Sequence, residues 1–180
     1  MLDQLFQIVK ENAQDLIVNN SAVPNQFNDA AMGEASNAIH DQLSQAVSSG
    51  NLQDVLGLFG QAQNLTSNPL VGNIVSQLSS SLGSKFGIDG AQAQQIAGQL
   101  IPQILGGLIN KTNNPNDASI NINDIMGHLG GGGSKGIDFG NIINQMQQGG
   151  KVDLGSLAGQ FLGGNKGGGG LGDLLGGFLK

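Results

Sequence analysis

The chain has 180 residues, 38% of them apolar and 11% charged, with seven Lys and thirteen Asp and Glu for a formal net charge of −6. It has no Arg, Trp, Tyr or Cys, which excludes disulfides, thiolate metal sites, cysteine nucleophiles and the guanidinium fork that grips phosphate or carboxylate in two places. The excess of acid over base makes nucleic acid an unsuitable partner.

Residues 1–60 hold seven acids and one Lys, so they carry all the net charge, while residues 61–120 and 121–180 are each balanced. We read this acidic region as a solvated helix face. There are 19 Asn and 19 Gln. These amides keep a surface wet without charge, and the weak repulsion that results permits self-association through amide pairs.

The first helix is predicted from Leu2 to Val18, with Leu2, Leu5, Phe6, Val9, Ala13, Leu16 and Ile17 on one stripe. Asp3, Lys10, Glu11 and Asp15 interrupt it, so it is neither a secretory leader nor a membrane span. We expect a cytoplasmic bacterial protein. A second helix is predicted from Asn25 to Val47, on the stripe Phe27, Ala31, Ala35, Ile39, Leu43 and Val47. Its Ala-rich flank permits close helix approach, and Ser48-Ser49-Gly50 closes it. A short helix from Leu52 to Phe59 follows.

Asn68-Pro69 reads as an N-cap and first helical residue. The stripe Leu70, Ile74, Leu78, Leu82 and Phe86 carries a fourth helix, and Gly87 suits its left-handed end. Asp89 caps a fifth helix, from Gly90 to Ile109. This helix has the widest apolar face, which places it at the centre of the fold. Pro102 lies inside it and crowds the carbonyl of Gly98. A kink is expected there, with no break.

Beyond Asn113 the composition shifts, and 20 of the 31 Gly fall between residues 113 and 180. Within that stretch the spacing i, i+3, i+4, i+7 recurs. It begins at Ile122, Phe139, Leu154 and Leu171, and the earlier Leu52 starts the same pattern. Three of these units open alike, on Ile120-Asn121, Ile137-Asp138 and Val152-Asp153. Asn121, Asp138 and Asp153 are the N-caps, and the apolar residue before each is a hydrophobic staple. Units of two turns do not stand alone in water. They either cover the core or serve other chains. The predicted fold is therefore all-α: an irregular array of about five longer helices, with several short Gly-linked amphipathic ones. A core is expected over residues 1–112 and the Gly-rich series over 113–180, packed on the core or partly mobile.

The stretch Leu82-Gly83-Ser84-Lys85-Phe86-Gly87-Ile88-Asp89, followed by Ala93, Ile101-Pro102-Gln103-Ile104 and Leu108, resembles the YidB-like family of bacterial proteins, a domain-of-unknown-function family. The similarity covers residues 67–112, and Leu171-Gly172-Asp173-Leu174-Leu175-Gly176-Gly177 looks like that family's Gly-rich tails. The resemblance implies an all-helical fold and no assigned reaction, and it brings no catalytic residue.

The residues themselves offer little chemistry. His40 reads as a surface residue, with Asp41 pointing elsewhere. His128 stands four residues after Asp124, so the two share a helix face, but no third metal ligand is spaced to join them. Gly130–Gly136 lacks the order of a phosphate-binding loop and has no strand before it. No carboxylate pair, nucleophile elbow or cofactor motif occurs. We therefore expect a non-enzymatic structural or interaction protein without metal or cofactor. It associates through apolar helix faces with itself or a protein partner, and Leu171, Leu174, Leu175 and Phe178 are candidate contact residues. A membrane-surface role is disfavoured because each unit carries about one Lys, fewer than interfacial helices usually do. A carrier of a small apolar ligand is a further alternative.

Overall fold

The computed structural model describes residues 2–60, 62–114, 120–129 and 138–147. Among them there is no strand, and the chain is all-α. In chain order the helices are α1 (Leu2–Asn12), α2 (Asn28–Ser48), α3 (Leu52–Gly60), α4 (Pro69–Phe86), α5 (Gly90–Asn113), α6 (Ile122–Leu129) and α7 (Phe139–Gln147).

The first predicted helix is interrupted. α1 ends at Asn12, whose side-chain amide donates to the Ile8 carbonyl at 2.7 Å. A π-helical turn at Gln14–Val18 continues the chain, with the N–H groups of both Ile17 and Val18 donating to the Ala13 carbonyl. The extra residue in that turn leaves Ala13 and Ile17 both fully buried. The start of the second helix also differs. Asn25–Phe27 form a tight 3-10 turn, and α2 proper begins at Asn28. Its end follows capping chemistry. Gly50 has φ 79°, its N–H donates to Val47, and that of Asn51 donates to Ala46.

α4 and α5 form an antiparallel hairpin whose ends are set by local chemistry. The Asn68 side chain accepts the Leu70 N–H at 2.9 Å, with Pro69 as the first helical residue. Gly87, at φ 69°, stops α4 in the left-handed region that costs residues with a Cβ about 1–2 kcal/mol. Asp89 then accepts the N–H groups of Ala91 and Gln92 and starts α5. α5 runs unbroken through Pro102 to Asn113, four residues beyond its predicted end. The Gly98 carbonyl, which Pro102 cannot bond, belongs to an exposed residue.

Space around Gly98 is open, with nothing within 4 Å of a Cβ placed there. Gly98→Ala should therefore stabilise the protein by about 0.5–1 kcal/mol through the unfolded chain, read as a higher urea midpoint. A lower midpoint would mean that the helix around Pro102 requires glycine at position 98.

The centre of the fold is α2, not α5 as the apolar width of α5 led us to expect. α2 packs against α1, α3, α4, α5 and α6, whereas α5 packs chiefly on α4 and α1, and both keep exposed residues, Asn37, Asp41 and Gln45 on α2 among them. Small residues make this possible. Ala31, Ala35 and Ala38 are buried around α2 beside Met32, Ile39 and Leu43, so neighbours approach closely on several sides. Even Ser36 is buried, its hydroxyl returned to the Met32 carbonyl. α2 and α4 run antiparallel. Glu34 pairs with Lys85 at one end, and the Gln42 amide donates to the Gln77 side-chain carbonyl at 2.7 Å further along. The rings of Phe27 and Phe86 meet at a tilt of 36° beside the first of these contacts, with centroids 5.4 Å apart. α1 meets α5 at Gly107, where a Cβ would come within 3.3 Å of Ile8.

α6 and α7 cover the core in cis. α6 packs on α2, and α7 on α3 and α6. Ile122, Ile125, Met126 and Leu129 are buried, as are Phe139, Ile142 and Ile143, and all belong to one hydrophobic cluster with the longer helices.

Candidate functional site

The two short helices meet in a polar joint. In α6, Asn121 accepts the Asp124 N–H at 2.8 Å, and its amide returns a hydrogen bond to the Asp124 carboxylate. In α7, Asp138 accepts the Asn141 N–H at 3.1 Å and the Asn141 side-chain amide at 2.9 Å. Both residues thus act as the N-caps that the sequence indicates. Asn123 was not foreseen. Its Oδ1 accepts the Phe139 N–H at 2.7 Å and its Nδ2 donates to Asp138 at 3.3 Å, so an α6 side chain caps the first residue of α7. Nothing in the pattern marks Asn123, because its partners lie fifteen and sixteen residues ahead.

These hydrogen bonds, chiefly the Asn141 backbone N–H, hold the Asp138 carboxyl below its usual value of 3.8. A depressed folded pKa gives stability that is present above the unfolded value and is lost as pH falls through the folded one. The start of α7 should therefore loosen only as pH drops below about 4. Asp138→Asn should weaken that acid dependence, as followed by NMR shifts of the Asn141 amide. An Asn141 amide indifferent to pH between 5 and 2 would contradict the arrangement.

Both histidines stand at helix surfaces, as the sequence indicates, but Asp41 does not point away from His40. His40 Nδ1 lies 3.3 Å from the Asp41 carboxylate, so adjacent residues do meet, at the surface. His128 shares the helix face of Asp124. Its Nδ1 lies 2.8 Å from the Asp124 backbone carbonyl, which the helical i, i+4 geometry presents, while Asn121 occupies the carboxylate. No group of three metal-ligating side chains exists among the described residues.

A cleft of about 490 Å³ lies between α3 and the 3-10 segment Ala62–Ser67, lined by Gln53, Asp54, Gly57, Asn64 and Ser67 among others. Its one charged lining residue is Asp54. Asn68 on its wall is already committed, donating to the Asp54 carbonyl at 3.0 Å while capping α4. An apolar crevice between Leu5, Leu108, Ile120 and Ile125 measures only about 10 Å³, the space of a single water molecule.

Surface chemistry is neutral over long stretches. Exposed α4 residues include Asn73, Ser76, Ser80 and Ser84, and exposed α5 residues include Gln92, Gln95, Gln99 and Gln103. Lys85 and Lys111 are paired with Glu34 and Glu11 of the acidic region. Leu2, 43% exposed, is the one large apolar side chain exposed among the described residues. No helix among them is long and apolar enough to cross a membrane. Gly87, Asp89, Gly98, Pro102, Asn121 and Asp138 all occupy the described fold. Asp153, Leu171, Leu174, Leu175 and Phe178 lie outside the described residues. Compared with family models, with curated proteins and with solved structures, the chain finds no match.

Proposed function

We propose that this is a non-enzymatic structural or interaction protein, whose contacts run through the apolar faces of its last amphipathic units, to a second copy or to a protein partner. One observation carries the reading. Apart from Leu2, which the first stripe leaves exposed, the apolar stripes of the described helices are turned into the chain, those of the short α6 and α7 included. The same stripe recurs in sequence at Leu154, Leu157, Ala158 and Phe161 and at Leu171, Leu174, Leu175 and Phe178. In this reading, association through apolar faces falls to residues 154–178. The low charge and the neutral surface of α4 and α5 support it, because little repulsion opposes close approach.

We keep the resemblance to the YidB-like family, on the motif Leu82–Asp89 and Ile101–Ile104, and propose a cytoplasmic setting alongside it. A carrier role for an apolar ligand is not favoured, given a crevice of about 10 Å³ in the described core.

The test is a light-scattering concentration series on the whole chain and on a Leu174→Asp/Phe178→Asp variant. Mass that grows with concentration, and does so less in the variant, is the expected result for self-association. A partner-dependent role predicts a monomer whose capture of a defined partner the variant abolishes. A chain that is monomeric throughout, and whose binding the variant leaves unchanged, would overturn the proposal.

A further inference from the structure

We draw no further inference here: the strongest candidate, the uncharged face that α5 turns to solvent at Gln92, Gln95, Gln99 and Gln103, is an unpartnered helix face, and nothing in the structure shows what covers it.

Discussion

A chain ending at Asn114 is expected to lose on the order of 5 kcal/mol of stability, as much as a marginal domain possesses. The truncation removes α6 and α7, and with them Ile120, Ile122, Ile125, Met126, Leu129, Phe139, Ile142 and Ile143, all buried. The larger consequence falls on what remains. α2 and α3 would lose the helices that cover them, and Leu5 and Leu108 would lose Ile120 and Ile125. Apolar surface returned to water costs roughly 25 cal/mol per Å². Urea unfolding followed by circular dichroism would show a much lower midpoint or no cooperative transition. Met126→Asp in the whole chain should act in the same direction, since Met126 is fully buried and an unpaired carboxylate there has no partner. An unchanged midpoint in both would mean that the short helices lie on the core without stabilising it.

Phe59→Ala is expected to cost about 3–5 kcal/mol, the range for emptying a closed aromatic site. Phe59 is fully buried at the end of α3, the helix on which α7 packs, and the next residue, Gly60, faces Ile143. Its backbone carbonyl also accepts the side-chain amide of Asn113, which ties α3 to the end of α5. Phe59→Leu, which keeps most of the volume, should cost less than the Ala variant. If Phe59→Ala shifts the denaturant midpoint by no more than a surface substitution does, α3 is not the support that α7 requires.

The two substitutions probe different levels of the same assembly. Phe59 belongs to a unit whose stripe, Leu52, Val55, Leu56 and Phe59, has the form of α6 and α7. Its burial shows what such a unit needs: an apolar floor and a neighbour on each side. α6 finds these on α2, and α7 on α3. The same requirement applied to the stripe at Leu171, Leu174, Leu175 and Phe178 is what makes those residues the centre of the proposed function.

Much of the secondary structure was legible because its causes are local. Asn68, Asp89, Asn121 and Asp138 each satisfy N–H groups two or three residues ahead, and Gly87 supplies a positive φ at the end of its own helix. Such contacts depend on sequence spacing alone. The failures at α1 and α2 are also instructive. A stripe of apolar residues says that a segment is helical and which side it buries. It does not register a π-helical turn after Ala13, which still turns Ala13 and Ile17 inward, or a 3-10 start at Asn25, where none of the three residues is buried.

By itself, the sequence determined that the chain is all-α, where most helices begin and end, and that two short units carry an N-cap and a buried stripe. Those properties follow from hydrogen bonds and side-chain periods within a few residues. Only the tertiary structure decided that α2 is the hub and α5 a flank, because the deciding quantity is how closely neighbours approach Ala31, Ala35 and Ala38, not how many apolar residues a helix has. It also turned amides that composition treats as surface into long-range ties. Gln42 bonds Gln77, Asn68 bonds the Asp54 carbonyl, and Asn123 caps α7 from α6. A side-chain amide finds its partner by position in space, and no spacing along the chain announces it.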